Sequence, residues 1–186
     1  MAEPATQRMT IDEFLVWCDR HGGEDKWELI DGEPRMMVRP LPIHQLISYN
    51  MTSEFETCLR DTPCVAIQEG AVRTAERQLR FAGVTVYCGD VDVRRQVMGP
   101  PTVVAEILSP STEGFDLVAK HEEFRSIESV RHIVFVHAER VHASVWTRTA
   151  DGWTLAEANE TDDAISLDAI DCRIEMARLY RNTDLT

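Results

Sequence analysis

The chain has 186 residues and a formal net charge of −13, from 19 Lys and Arg against 32 Asp and Glu. Its 44% hydrophobic and 27% charged composition excludes wholesale disorder, and the length suffices for a buried core without disulfides or structural metals. No apolar run reaches bilayer length, no signal-peptide pattern opens the chain, and the acidity argues against a broad basic surface coating nucleic acid. The cysteines, Cys18, Cys58, Cys64, Cys88 and Cys172, are odd in number and lack CxxC or zinc-finger spacing. They read as reduced thiols in a cytoplasmic protein with no membrane partner.

Thr10 followed by Glu13 is a capping-box signature, and Ile11, Phe14, Leu15 and Cys18 recur at helical spacing, so a helix is predicted over 10–20. Two short runs, 27–30 and 35–38, flank Asp31-Gly32, a strong hairpin signal. Pro42 precedes a long helical pattern over 43–60. Residues 64–68 and 71–74 read as two strands reversed at Glu69-Gly70, followed by a strand over 79–88. Residues 90–101 form a loop. Residues 102–108 are continuously apolar except for Glu106, the pattern of a strand covered on both faces. Ser109-Pro110-Ser111-Thr112 ends it, and a helix follows over 116–126. Three short strands over 132–137, 143–148 and 153–158 come next, the last two joined by a hairpin at Asp151-Gly152. Residues 165–167 and 174–180 form the tail, the latter read as a short helix. With no repeat or linker, residues 1–186 read as a single α/β domain, bordering on α+β, with a mixed sheet.

A carboxylate inside an apolar strand is costly unless it is paired, hydrogen-bonded or bound to a metal. Glu106 is such a group, and the next helix brings Asp116 and Lys120. A strand carboxylate with a helix lysine can hold a divalent cation and stabilise charge on a phosphate. Spacing alone favours the plainer reading, a buried structural ion pair of Glu106 with Lys120. Glu28, within its own strand, reads by itself as a solvent-facing residue. His44 opens the long helix, where it could face a phosphate or serve only as a surface histidine. Glycine-rich phosphate loops, HExxH spacing and nucleophile elbows are absent from the sequence.

Together the segments Thr10-Ile11-Asp12-Glu13-Phe14, Trp27 through Glu33, His44-Gln45 and Val103 through Thr112, with Asp116, Lys120 and Phe124 following, resemble the Uma-two family, a branch of the PD-(D/E)XK nuclease superfamily. The likeness runs over about residues 9–181. It implies a restriction-endonuclease-like fold, a mixed sheet flanked by helices, here with an added β-hairpin region, and Mg²⁺-dependent hydrolysis of DNA phosphodiesters. By resemblance Glu106 is the strand carboxylate and metal ligand, Lys120 the catalytic lysine and Glu28 the helper carboxylate. His44 and Arg80 would touch substrate.

One position departs from the family pattern. Ala82-Gly83 stands where the family has Pro-Asp, so Gly83 occupies the position of the metal-bridging aspartate. That leaves the Mg²⁺ site incomplete. Two functions follow as alternatives: a metal-dependent endonuclease, or a catalytically degraded nuclease fold acting as a binding or homodimeric assembly module. Any DNA contact would need a local basic patch, expected from Arg73, Arg77, Arg80 and Lys120 around the cleft.

Overall fold

A computed structural model describes residues 8–21, 23, 25–109 and 115–185. Helix α1 spans Ile11–His21. The expected capping box forms: Glu13 Oε2 accepts from the Thr10 amide at 2.8 Å, and the Glu13 amide reaches Thr10 Oγ1 at 3.3 Å. Strands β1 (Trp27–Ile30) and β2 (Glu33–Met36) pair with Ile30 opposite Glu33. The two-residue turn between them holds Asp31 at φ 51° and Gly32 at φ 79°. Two successive positive φ values are what a type I′ turn requires and what an Asp-Gly pair permits. The second strand therefore starts two residues earlier than its apolar pattern indicates.

Helix α2 (Pro42–Cys58) follows with proline in its first turn. Strand β3 (Cys64–Ala75) then runs unbroken against β4 (Gln78–Cys88), which corrects the reversal expected at Glu69-Gly70. Glu69 does take a positive φ of 51°, but the chain only kinks there. Gly70 lies so close to Thr85 of β4 that a Cβ would collide with its hydroxyl, so this glycine serves close approach and not chain reversal.

Strand β5 (Val103–Leu108) is buried along its whole length, and α3 (Phe115–Ser126) follows it. Strands β6 (His132–His137), β7 (Ala143–Thr149) and β8 (Gly152–Ala158) complete the main sheet. Gly152 pairs with Thr149, so the β7–β8 turn is Ala150-Asp151, one residue earlier than expected. The tail is only partly helical: β9 (Ala164–Leu167) pairs with β10 (Cys172–Glu175), and only α4 (Met176–Leu179) is helix.

Apart from β3, which pairs with β4, the main sheet runs β2-β1-β4-β5-β6-β7-β8, with β5 and β6 parallel and the other pairs antiparallel. Helix α2 and the C-terminal unit cover one face through Ile47, Met51, Phe55, Leu167, Leu179 and Tyr180. Helix α3 covers the other through Phe124, over Val104, Leu108 and Ile133. Strand periodicity sends Val103, Ala105 and Ile107 to the first face and Val104 and Leu108 to the second, so Glu106 shares the face of α3. Among the described residues no helix is long and apolar enough to cross a membrane.

The expectation of reduced thiols is corrected for four of the five cysteines. Cys58–Cys172 joins the end of α2 to the start of β10, and Cys64–Cys88 joins the open ends of β3 and β4. Cys18 is the free thiol. The bonded residues are far apart in sequence, so no local spacing signals them.

Candidate active site

The site lies where β4 changes partners. Its Leu79 pairs with Leu29 of β1, while Val84 to Val86 pair with β5. Between these contacts two carboxylates complete the hydrogen bonding of the strand. The Phe81 amide donates to Glu28 Oε1 at 2.9 Å, and the Gly83 amide donates to Glu106 Oε2 at 3.2 Å. Side chains thus satisfy backbone donors that a neighbouring strand would otherwise take.

Lys120 sits between the two acids, its Nζ 3.1 Å from Glu28 Oε1 and 3.1 Å from Glu106 Oε1. It also donates to the Phe81 carbonyl at 3.5 Å. Arg80 lies beside it and is 2% exposed. Its guanidinium grips Glu123 with Nε at 2.8 Å and Nη2 at 2.7 Å, while Nη1 reaches Glu28 Oε2 at 3.2 Å. The fork geometry of arginine makes this two-point grip on Glu123 directional as well as strong.

Burial raises the Glu106 carboxyl above its ordinary range, against the pull of Lys120. Burial would raise Glu123 too, but hydrogen bonds from Arg80, Gln78 and Thr74 outweigh it and hold that carboxyl low. With all five groups ionised, three carboxylates against two cations leave one net negative charge.

Helix α3 is held in place from its far end. Arg148 donates to the carbonyls of Arg125 (2.7 Å), Ile127 (2.8 Å) and Val130 (2.8 Å). Cations at a helix C-terminus also favour its dipole. With Phe124 fully buried one turn beyond Lys120, the ammonium is aimed at β4 and β5.

The structure therefore brings together Glu28, Glu106, Lys120 and Arg80. Arg80 is placed inside the charge network and not on a substrate-facing surface, so the expected basic patch reduces to the exposed Arg73 and Arg77. His44 is half-buried nearby, bonded to the Ile107 backbone. Burial lowers its pKa, so the ring is neutral at pH 7. Pro110, Ser111, Thr112 and the Asp116 side chain lie outside the described residues.

Asp90 and Asp92 do not approach Gly83. They follow the far end of β4, where the Gly89 amide is tied to the Pro63 carbonyl at 2.9 Å, about 17 Å of strand away. Two members of the site were missed by sequence reasoning. Glu123 stands three residues after Lys120, a helical spacing that could have flagged it. Ser48, whose hydroxyl donates to the Gly83 carbonyl at 3.2 Å, carried no signal.

A mixed sheet with helices on both faces, and a glutamate–lysine cluster where two strands diverge from a third, define a restriction-endonuclease-like protein. The chain belongs to the Uma2 family, described as "Putative restriction endonuclease", whose model matches residues 11–178. An uncharacterised protein of Synechocystis, slr1290, is 23% identical over 183 residues, which cover 94% of this chain and 92% of that one. A crystal structure from Anabaena variabilis, titled as a "putative nuclease belonging to DUF820", has a TM-score of 0.75 at 14% identity, covering 92% of this chain and 97% of that one. At that identity the likeness is one of fold.

Proposed function

We propose that this chain is a restriction-endonuclease-like binding or assembly module in which metal-dependent phosphodiester hydrolysis is disabled. The observation that carries this reading is Gly83. Its amide holds the Glu106 carboxylate, and it contributes no carboxylate where the family resemblance expects one.

The residues present do not fit Mg²⁺. Glu28 and Glu106 each accept a backbone N–H, and the Lys120 ammonium stands equidistant from both. Glu123, the third acid of the cluster, is gripped by Arg80. Among the described residues no group of three acidic, histidine or cysteine side chains could hold a metal ion. The site thus carries its own counter-charges, and an entering divalent cation would have to displace an ammonium in exchange for few free oxygens.

The test is the restoring variant Gly83→Asp beside wild type, assayed by calorimetry with Mg²⁺ and Mn²⁺ and by nicking of supercoiled plasmid. The expected result is no saturable metal binding and no nicking by wild type, with both gained by the variant. Metal-dependent nicking by wild type, abolished in Glu106→Ala and Lys120→Ala, would overturn the proposal. It would establish the second reading, an active endonuclease, which the retained contact of Lys120 with Glu106 at 3.1 Å favours.

A further inference from the structure

On the other side of α3 from the carboxylate cluster lies a cavity of about 450 Å³, open to solvent between the helix and strands β6 and β7. It shares a sheet face with Glu106, because Leu108, two residues further along β5, forms part of its wall. Two strand residues span about 7 Å. The charge network makes no use of this cavity.

Its lining divides into two chemistries. Phe135, Trp146 and His121 form an aromatic wall, with the His121 ring 4.6 Å from Trp146 and 5.6 Å from Phe135. Burial and the neighbouring Arg125 lower the His121 pKa, so the ring joins that wall uncharged at pH 7. Arg140, His137 and Ser144 supply the polar part. Arg140 donates to the His137 ring at 3.1 Å and has no carboxylate partner among the described residues. A guanidinium without an acid, at the mouth of an aromatic-lined cavity in a chain of charge −13, is a local anion site on an otherwise repulsive surface.

We propose that this cavity binds a nucleotide unit, a planar heteroaromatic base carrying a phosphate. The base lies against the wall of Trp146, Phe135 and His121, and the phosphate meets Arg140 with Ser144 beside it. The volume lies within the range of small-ligand sites, and aromatic contact with charge-assisted hydrogen bonding is the usual means of holding such a unit. The proposal does not depend on whether the carboxylate cluster hydrolyses anything. The unit can be a free nucleotide or the phosphorylated end of a single strand, since both present the same chemistry.

The test is calorimetric titration of the full chain with AMP, adenosine, inorganic phosphate and a short 5′-phosphorylated oligodeoxyadenylate. AMP is expected to bind saturably, and more tightly than adenosine or phosphate alone. Arg140→Ala, at an exposed turn and so without consequence for folding, should weaken AMP about tenfold or more. Arg35→Ala on the distant β1–β2 hairpin should leave it unchanged. Quenching of tryptophan fluorescence by AMP should be lost in Trp146→Phe, which places the ligand at this wall. Competition between the oligonucleotide and AMP identifies the strand end as a source, and AMP binding without competition identifies the free nucleotide. No saturable binding of AMP or oligonucleotide, or binding unaffected by Arg140→Ala, overturns the proposal.

Discussion

The Gly83 amide donates to the Glu106 carboxylate at 3.2 Å, and this contact ties the fold of β4 and β5 to the chemistry of the site. A side chain at position 83 would enter the space between these strands. A Cβ there would stand 3.0 Å from Ile107 Cδ1 and 3.3 Å from the Ala105 carbonyl. The backbone of Gly83 lies outside the left-handed region, so the obstacle is packing and not conformation.

Gly83→Ala is accordingly expected to destabilise the chain by about 1–3 kcal/mol, the usual cost of overpacking. Adding Ile107→Val to Gly83→Asp should recover part of that loss and leave the metal-binding readout intact. Chemical denaturation of the single and double variants checks both statements.

Arg80 links Glu28 to Glu123 at 2% exposure, so its removal takes a cation from two acids at once. Arg80→Met should lower stability by about 3–5 kcal/mol, as expected when one member of a buried ion network is deleted. A loss under about 1 kcal/mol in urea denaturation would contradict the internal counter-charge assigned to this residue.

The Glu106 carboxyl gives a pH dependence with a definite sign. Burial raises its folded-state pKa, so the folded chain holds that proton more tightly than the unfolded chain does. The contribution of this group is fully present below the unfolded value and fades as pH rises through the raised folded value. Wild type should therefore lose ground to Glu106→Gln as pH rises from the ordinary carboxylate range through the raised folded value. Thermal melts across this range should show the Tm of the variant minus that of wild type increasing with pH. A decreasing difference would mean that Lys120 outweighs burial.

The disulfides predict a single reactive thiol, Cys18, in the native chain. Thiol titration before and after reduction counts it directly, and five reactive thiols would restore the reading of a fully reduced protein. Cys58–Cys172 spans a separation of 114 residues. Reduction should cost stability of about 2–4 kcal/mol, because the unfolded chain regains the entropy of that loop. Melts with and without reductant measure the loss.

The sequence alone determined most of the elements and three members of the site. Capping at Thr10 and Glu13, the Asp31-Gly32 turn and the covered strand around Glu106 depend on near neighbours, which local pattern encodes. Spacing set Lys120 beside Glu106, the family resemblance added Glu28, and the structure brings Lys120 within bonding distance of both acids. Only the tertiary structure decided the rest. Arg80 could be read from sequence as a surface cation because nothing local shows that β1, α3 and β4 converge on it. Glu69-Gly70 could be read as a turn because the approach of Thr85 is a contact across strands. The cysteine pairs and the aromatic cavity likewise join residues remote in the chain. Hydrogen bonding between near neighbours is written into composition and spacing, whereas the burial of a charge depends on which distant surfaces exclude water from it.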